Sequence, residues 1–300
     1  MNTNIKLNQK KKSPEELYAE AEFTRYTIDD ASPAVRVFGE GPALVFIHGF
    51  PTHGYTWRNL LPELSRDFTC YVIDLPGLGD SDWTEQTDFS FTAQARRLTK
   101  LFTQLGLQRY SLIAHDTGAT IARLVAHADP GKVEHLVAFN TEIPNHRPPW
   151  IPTYQRLAAL PGANSIFRLT MRSNFWRASS LGCGQFYTNK ELLNDPKNIG
   201  PYLDPVISSS RRMAGLLGYL RGIEWPVIDW LRDAHKEIKA DTLFLWGAND
   251  RTFPIDQARA MVSQFEGSAT LVPLDGSLLP HEECCKAAID SITTFVSSQD

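Results

Sequence analysis

Tyr110-Ser-Leu-Ile-Ala-His-Asp-Thr-Gly118 joins an apolar strand pattern to a small-residue helical stretch that runs to about Ala128. A sharp strand-to-helix turn lifts its central side chain above the carboxyl edge of a sheet. Small residues such as Gly118 and Ala119 let the helix and the strand approach closely at that turn. The usual pattern has serine at its centre, whereas this chain has Asp116. The stretch therefore predicts an α/β fold with an aspartate nucleophile at the turn.

Strand-like runs and helical patterns alternate on both sides of this turn, which predicts a parallel sheet covered on both faces. The predicted strands are Ala43–Ile47, Thr69–Leu75, Tyr110–Ala114, His135–Phe139, Thr242–Trp246 and Ala269–Leu274, and the predicted helices are Phe91–Leu105 and Gly118–Ala128. Residues 145–235 break the alternation, because they are rich in Pro, Trp, Tyr and helical fragments. We predict a core of 23–144 and 236–300, interrupted by a helical cap at 145–235.

Composition excludes several function classes for these 300 residues. Hydrophobic residues make up 42% and charged residues 21% of the chain, as in soluble globular proteins. The net charge of −4 argues against nucleic acid as the main partner. No stretch is long and apolar enough for a signal peptide or a membrane span, so we expect a cytoplasmic protein with no membrane partner. The oligomeric state is not readable.

Smaller sequence features add two expectations. The four cysteines (Cys70, Cys183, Cys284 and Cys285) form no CxxC pair, and Cys70 lies in an apolar run. We therefore expect neither a disulfide framework nor a zinc site. Residues 1–22, which include Lys10-Lys11-Lys12, are predicted to be a flexible leader.

The aspartate at the turn limits the possible chemistry. A carboxylate is ionised at neutral pH and can attack an electrophilic carbon directly. Attack on an ester or amide would give a labile anhydride, whereas attack on an epoxide or a haloalkane gives an alkyl ester that water can cleave. The alternative is that Asp116 only caps the following helix.

Four motifs carry a family resemblance: His48-Gly-Phe-Pro51, Asp74-Leu-Pro-Gly-Leu-Gly-Asp-Ser81, His115-Asp-Thr-Gly118 and Trp246-Gly-Ala-Asn-Asp250. Together they resemble the epoxide hydrolase and haloalkane dehalogenase branch of the α/β-hydrolase superfamily, over about residues 23–295. The resemblance implies a mostly parallel, eight-stranded type of sheet with an inserted helical cap. It implies no metal and no organic cofactor.

The same resemblance implies site residues. Backbone N–H groups of Phe50 and Thr117 would form an anion hole. Asp250 matches the acid that orients the catalytic base, with Glu142 as the fallback, although Asp250 is otherwise a plausible turn or helix-capping residue.

The base is where the chain departs from the family. The position after Gly276, where the family has histidine, is Ser277, and the next histidine is His281. Three interpretations stay open: His281 reaches the site, the base has been replaced at Ser277, or His281 is a surface residue at a helix start. A lost base would leave the ester hydrolysing slowly.

Substrate choice depends on the cap. Epoxide opening needs an acidic donor, for which we predict Tyr154 and Tyr219 among four cap tyrosines that include Tyr187 and Tyr202. A haloalkane dehalogenase is the second hypothesis, with an indole N–H from the cap binding the halide; the candidates are Trp150, Trp176, Trp225 and Trp230. The third is a binding protein without turnover.

Other predicted site residues have supporting roles. We place Trp150 and His48 among the substrate-binding residues, and expect His48 also to shape the oxyanion loop. The expected partner is a small apolar or amphipathic electrophile.

Overall fold

The computed structural model describes residues 12–297. The strands are β1 Phe23–Arg25, β2 Ala31–Ser32, β3 Ala34–Phe38, β4 Ala43–Ile47, β5 Thr69–Asp74, β6 Asp82–Trp83, β7 Tyr110–His115, β8 Val133–Phe139, β9 Asp241–Gly247 and β10 Ala269–Leu274. Six of these ten strands were predicted from sequence, each within two residues at either end.

Helices cover the sheet and fill the long insertion. They are α1 Pro14–Glu20, α2 Leu61–Leu64, α3 Phe91–Gln104, α4 Thr117–Ala128, α5 Trp150–Ala158, α6 Ala163–Met171, α7 Asn174–Ala178, α8 Lys190–Asn194, α9 Pro196–Ser208, α10 Ser210–Arg221, α11 Trp225–Ala234, α12 Ile255–Val262, α13 Pro280–Glu283 and α14 Cys285–Val296. Within residues 12–297, no helix is both long and apolar enough to cross a lipid bilayer.

Eight strands form one sheet in the order β1-β3-β5-β4-β7-β8-β9-β10. β3 runs antiparallel to both of its neighbours, and the other neighbouring pairs are parallel. The predicted mostly parallel, eight-stranded sheet is confirmed. Strand β7 lies between β4 and β8, and all six of its residues are buried. The turn after β7 is therefore held at the middle of the sheet's carboxyl edge.

The chain between β8 and β9 forms the seven helices α5–α11 and no strand in this fully described stretch. The predicted segment 145–235 covers these helices, and we call it the helical insertion. Within it, helix α10 packs against α5, α6 and α9. That the insertion is a separate cap domain stays a prediction.

The predicted flexible leader is wrong for residues 13–22. Helix α1 begins with a capping box, in which Ser13 Oγ accepts from the Glu16 N–H and the Glu16 carboxylate accepts from the Ser13 N–H at 2.8 Å. Tyr18 in this helix is only 5% exposed, and its ring packs against the Arg36 guanidinium. Burial of Tyr18 ties the helix to the core. Lys10, Lys11 and the rest of residues 1–11 lie outside the described residues.

Candidate active site

Asp116 lies at the turn between β7 and α4 in a strained backbone conformation. Its φ is 52° and its ψ is −131°, a region that side chains other than glycine rarely adopt. Two glycines make room for the turn. A Cβ on Gly49 would lie 2.4 Å from Asp116 Cβ, and one on Gly118 would lie 2.2 Å from the His48 carbonyl oxygen. The surrounding loops thus hold Asp116 by direct contact.

Backbone N–H groups bind the Asp116 carboxylate. The Phe50 N–H donates to Asp116 Oδ2 at 2.8 Å, and the Thr117 N–H also favours the charged form of this carboxylate. The two predicted oxyanion donors are therefore brought together at the predicted nucleophile. Burial raises the pKa of Asp116 well above its usual value, and the negative charge of Glu142 raises it further. The two N–H donors oppose this shift.

Asp116 opens into an apolar cavity between the sheet edge and the helical insertion. Residues of the core that line it include Phe50, Asp116, Thr117, Glu142, Thr252 and Leu278. Residues of the insertion that line it are mostly aromatic or aliphatic, among them Trp150, Ile151, Tyr154, Phe167, Met171, Trp176, Phe186, Leu203 and Leu220. We call this cavity the Asp116 pocket. Its lining suits a small apolar ligand.

Asp250 lies beside the pocket, on the loop after β9. Its Oδ2 accepts from Asn140 Nδ2 at 2.7 Å, and its Oδ1 accepts from the Thr252 N–H at 2.7 Å. Burial raises the pKa of Asp250 to about 6. No histidine of residues 12–297 hydrogen-bonds to it, so the structure gives Asp250 no base to orient.

The placement of His281 contradicts its predicted role as the base. Its side chain is fully buried, its Nε2 lies 2.7 Å from Thr56 Oγ1, and its ring packs on Trp57 at 4.5 Å. It does not line the Asp116 pocket. Burial, together with the charge of Arg58, lowers the pKa of His281 to about 3. The imidazole is a neutral core residue, and the alternative that it is a surface residue is also wrong.

Ser277 does not face the nucleophile either. Its Oγ donates to the Gln185 carbonyl oxygen at 2.7 Å, and it lines a separate polar cavity with Lys190 and Arg251. The next residue, Leu278, lines the Asp116 pocket instead. Ser277 is therefore not placed to act on an ester at Asp116, and the neighbouring position that lines the pocket holds a leucine.

Sequence reasoning missed Leu278, although a signal was present. Leu278 and Leu279 are adjacent apolar residues in a loop that follows a strand. They are 8% and 1% exposed, so both are buried. Such a pair has to cover apolar space beneath the loop, and here that space includes the Asp116 pocket.

The two predicted tyrosines occupy different places. Tyr154 lines the pocket, but its hydroxyl donates to the Leu181 carbonyl oxygen at 2.7 Å. Tyr219 lies behind the pocket wall, where its hydroxyl is 3.0 Å from Thr117 Oγ1 and its ring stacks on Phe50 at 5.9 Å. Tyr219 does not line the pocket, so Tyr154 and Tyr219 do not form the expected pair of donors within it.

Some of the remaining aromatic candidates line the pocket, and the others lie elsewhere. Trp150 and Trp176 line the pocket, whereas the Trp225 indole donates to Gln155 and Trp230 packs against His127. Tyr187 and Tyr202 both donate to the Glu282 carboxylate, which also pairs with Arg58. These two tyrosines belong to a buried network that joins the insertion to the core.

His48 shapes the loop beside Asp116. Its Nε2 accepts from the Leu75 N–H at 2.9 Å, which leaves Nδ1 to donate to the Gly49 carbonyl oxygen at 2.9 Å. Burial lowers the pKa of His48 to about 4. His48 does not line the pocket, so it does not contact a ligand there.

Comparison with known proteins agrees with this architecture. A family model described as alpha/beta hydrolase fold matches residues 42–283. A soluble epoxide hydrolase from Corynebacterium sp. (strain C12) is 38% identical over 98 residues, which is 33% of this chain and 34% of that enzyme. The match thus spans about a third of that relative's length.

Solved structures extend the likeness to almost the whole chain. A thermophilic esterase from Thermogutta terrifontis superposes with a TM-score of 0.76 and 20% identity, covering 93% of this chain and 99% of that one. The haloalkane dehalogenase DbeA from Bradyrhizobium elkani USDA94 gives a TM-score of 0.73 and 19% identity, covering 93% and 98%. At such identities the superpositions show a shared fold alone.

Proposed function

Because this chain belongs to the α/β-hydrolase-fold family, we propose that it is a hydrolase whose Asp116 carboxylate opens an apolar epoxide through a covalent ester. Water then cleaves the ester and releases a diol. The substrate class follows from the nucleophile, since a carboxylate forms a stable alkyl ester only at carbons that carry a leaving group.

One observation carries the proposal: the Phe50 N–H holds one oxygen of the Asp116 carboxylate while the side chain faces an apolar pocket. The bound oxygen fixes the direction of the carboxylate and leaves the other oxygen to attack. Once the ester has formed, the same N–H faces the oxyanion that develops when water adds to the ester carbonyl. The Thr117 N–H also favours the charged form of the Asp116 carboxylate.

Haloalkane dehalogenation is the second candidate, and the pocket aromatics favour it. Trp150 and Trp176 line the pocket, and neither indole N–H hydrogen-bonds to a protein group within residues 12–297. Free indole N–H groups are suitable donors to a departing halide. The epoxide is preferred because the pocket also holds a second carboxyl group, Glu142, which can supply the proton that an alkoxide requires and a halide does not.

Leu278 has a kinetic consequence for either substrate. General-base catalysis accelerates a step by about 10²- to 10⁴-fold. Without an imidazole in the pocket, cleavage of the ester is expected to be slower than its formation. The covalent Asp116 ester should therefore accumulate.

The test is intact-protein mass spectrometry after incubation with terminal epoxides or 1-iodoalkanes, followed by peptide mapping. We expect an adduct equal to the whole epoxide, located on Asp116 and absent from Asp116→Asn. Asp250→Asn is the matched control, since it changes a buried carboxylate that does not line the pocket.

Turnover in water enriched in ¹⁸O tests the second step. Hydroxide that attacks the ester carbonyl places ¹⁸O in the Asp116 side chain. A diol formed without ¹⁸O in Asp116 would overturn the covalent route. An alkylated Asp116 with iodoalkanes but not with epoxides would support dehalogenation instead. Neither adduct nor product with both panels would contradict the proposal and favour a binding protein.

A further inference from the structure

A second carboxyl group shares the Asp116 pocket. Glu142 follows β8, is 3% exposed and lines the same cavity as Asp116. Its Oε2 accepts from Thr120 Oγ1 at 2.7 Å and from Thr141 Oγ1 at 3.1 Å. Thr141 Oγ1 also lies 2.9 Å from the Asp116 carbonyl oxygen. These hydroxyl groups fix Glu142 against the turn that carries Asp116.

The nearest cation stabilises Glu142 without pairing with its carboxylate. Arg123 is fully buried, and its guanidinium donates to Thr120 Oγ1, Thr141 Oγ1 and the Glu142 carbonyl oxygen at 2.8–2.9 Å. A direct ion pair would hold Glu142 ionised. The indirect contact leaves its carboxyl group able to take and release a proton.

Two buried carboxyl groups in one pocket cannot both ionise easily. Burial raises the pKa of Glu142, and burial with repulsion from Glu142 raises that of Asp116. The other charged or titratable groups that act on the pair are Arg123, Asp250 and Tyr219. The pair therefore retains one proton at a pH where isolated carboxyl groups are both ionised. In the reacting form this proton is on Glu142, and the Phe50 N–H stabilises the charge on Asp116.

The rest of the lining offers no other proton carrier. Besides the two carboxyl groups, the titratable residues that line the pocket are Tyr154 and Cys183. The Tyr154 hydroxyl is bonded to a carbonyl oxygen, and burial raises the pKa of Cys183 to about 12. No histidine of the described chain lines the pocket.

We propose that Glu142 is the acid–base residue of this site and contacts the substrate directly. This inference rests on the proposed function. Asp116 forms a C–O bond to the epoxide carbon as the ring C–O bond breaks, and Glu142 gives its proton to the ring oxygen. The Glu142 carboxylate then removes a proton from the water that attacks the ester carbonyl. Collapse of the tetrahedral intermediate leaves a protonated Asp116 carboxyl group, which gives its proton to the departing oxygen, so the starting state returns.

The decisive variant is Glu142→Gln, which keeps the size and hydrogen-bonding capacity of the side chain. Alkylation of Asp116 is measured by intact mass with a terminal epoxide and with a 1-iodoalkane, because iodide leaves without a proton. We expect epoxide alkylation to fall by at least about 100-fold. Iodoalkane alkylation should keep its rate within a few-fold, while the ester it forms becomes longer-lived.

An equal loss with both reagents would mean that Glu142 only supports the turn, and no loss with the epoxide would mean that it carries no proton; either result overturns the inference. Failure of the wild-type protein to alkylate Asp116 with any reagent would instead overturn the proposed function.

The wild-type pH profile gives a second test that needs no variant. Epoxide alkylation should fall at high pH as the shared proton is lost, whereas iodoalkane alkylation should rise to a plateau. Identical profiles for the two reagents would also overturn the role of Glu142.

Discussion

Ser277 and Leu278 are consecutive residues that line different cavities. Ser277 lines a polar cavity beside Gln185, and Leu278 lines the apolar pocket with Asp116. The His115 imidazole is 2.8 Å from the Leu278 carbonyl oxygen and helps to hold the loop in this orientation. Because of this orientation, a side chain at position 278, and not one at position 277, can reach an ester on Asp116.

Leu278→His is expected to add an imidazole, a stronger general base than the Glu142 carboxylate, and to accelerate hydrolysis of the Asp116 ester by about 10-fold or more. The measurement is the decay of the alkylated protein after excess reagent is removed. Ser277→His is the matched control, since it introduces the same side chain one residue away, toward the other cavity. Equal gains in both variants would contradict the assignment of the two positions.

Asp250→Asn is expected to leave alkylation of Asp116 within a few-fold of wild type, because Asp250 orients no base in this chain. The same change should remove most of the gain produced by Leu278→His, since a new imidazole would need an acceptor nearby. The comparison is a double-mutant cycle on the ester decay rate. Additive effects of the two substitutions would show that Asp250 does not serve a base at position 278.

Tyr219→Phe tests whether this tyrosine donates a proton to the substrate. Its hydroxyl contacts Thr117 Oγ1 behind the pocket wall. We therefore expect epoxide alkylation to change by less than about 10-fold, below the usual range for an acid catalyst. Stability should fall by about 1 kcal/mol, because Thr117 loses its hydrogen-bond partner. Urea unfolding and the alkylation rate measure the two effects. A 100-fold loss of epoxide alkylation without a matching loss of stability would show that Tyr219 is a catalytic residue.

His281 is expected to make stability depend on pH. Its folded pKa of about 3 lies below the usual value of 6.5, so below pH 6.5 the unfolded chain binds a proton that the folded chain does not. The contribution is complete above pH 6.5 and is lost as the pH falls toward 3. In His281→Asn, the slope of unfolding free energy against pH near pH 5 should be shallower by about 1.4 kcal/mol per pH unit. His127→Asn, at a more exposed histidine, is the control; an unchanged slope in both variants would contradict the prediction.

Much of the fold was predictable because its signals are local. The strands around Asp116 are continuous apolar runs, and the turn after β7 needs small residues where helix and strand meet. The contacts of Phe50 with Asp116 also followed from motif order. Helix α1 was missed because its stability depends on burial of Tyr18, a contact with residues distant in sequence.

The proton-carrying part of the site was less predictable for a physical reason. Position 278 faces the pocket only because hydrogen bonds to the insertion and to His115 orient the loop. The ionisation of Glu142 depends on its distance from Asp116 and Arg123, which come from three different elements. Neither the orientation of position 278 nor the ionisation of Glu142 produces a pattern in the local sequence. His281 was attractive as a base only because its burial could not be read from the chain.

The loop that carries Leu278 is joined to the helical insertion on both sides of that residue. Ser277 Oγ donates to the Gln185 carbonyl oxygen at 2.7 Å, and the Leu279 N–H donates to the Phe186 carbonyl oxygen at 3.0 Å. Any displacement of this part of the insertion must break both bonds, at about 0.5–1.5 kcal/mol each, or carry Leu278 with it. In the second case the motion that admits a ligand also uncovers the ester carbonyl. Ligand exchange and the arrival of water would then be one kinetic event, and turnover would be gated by the frequency of that opening.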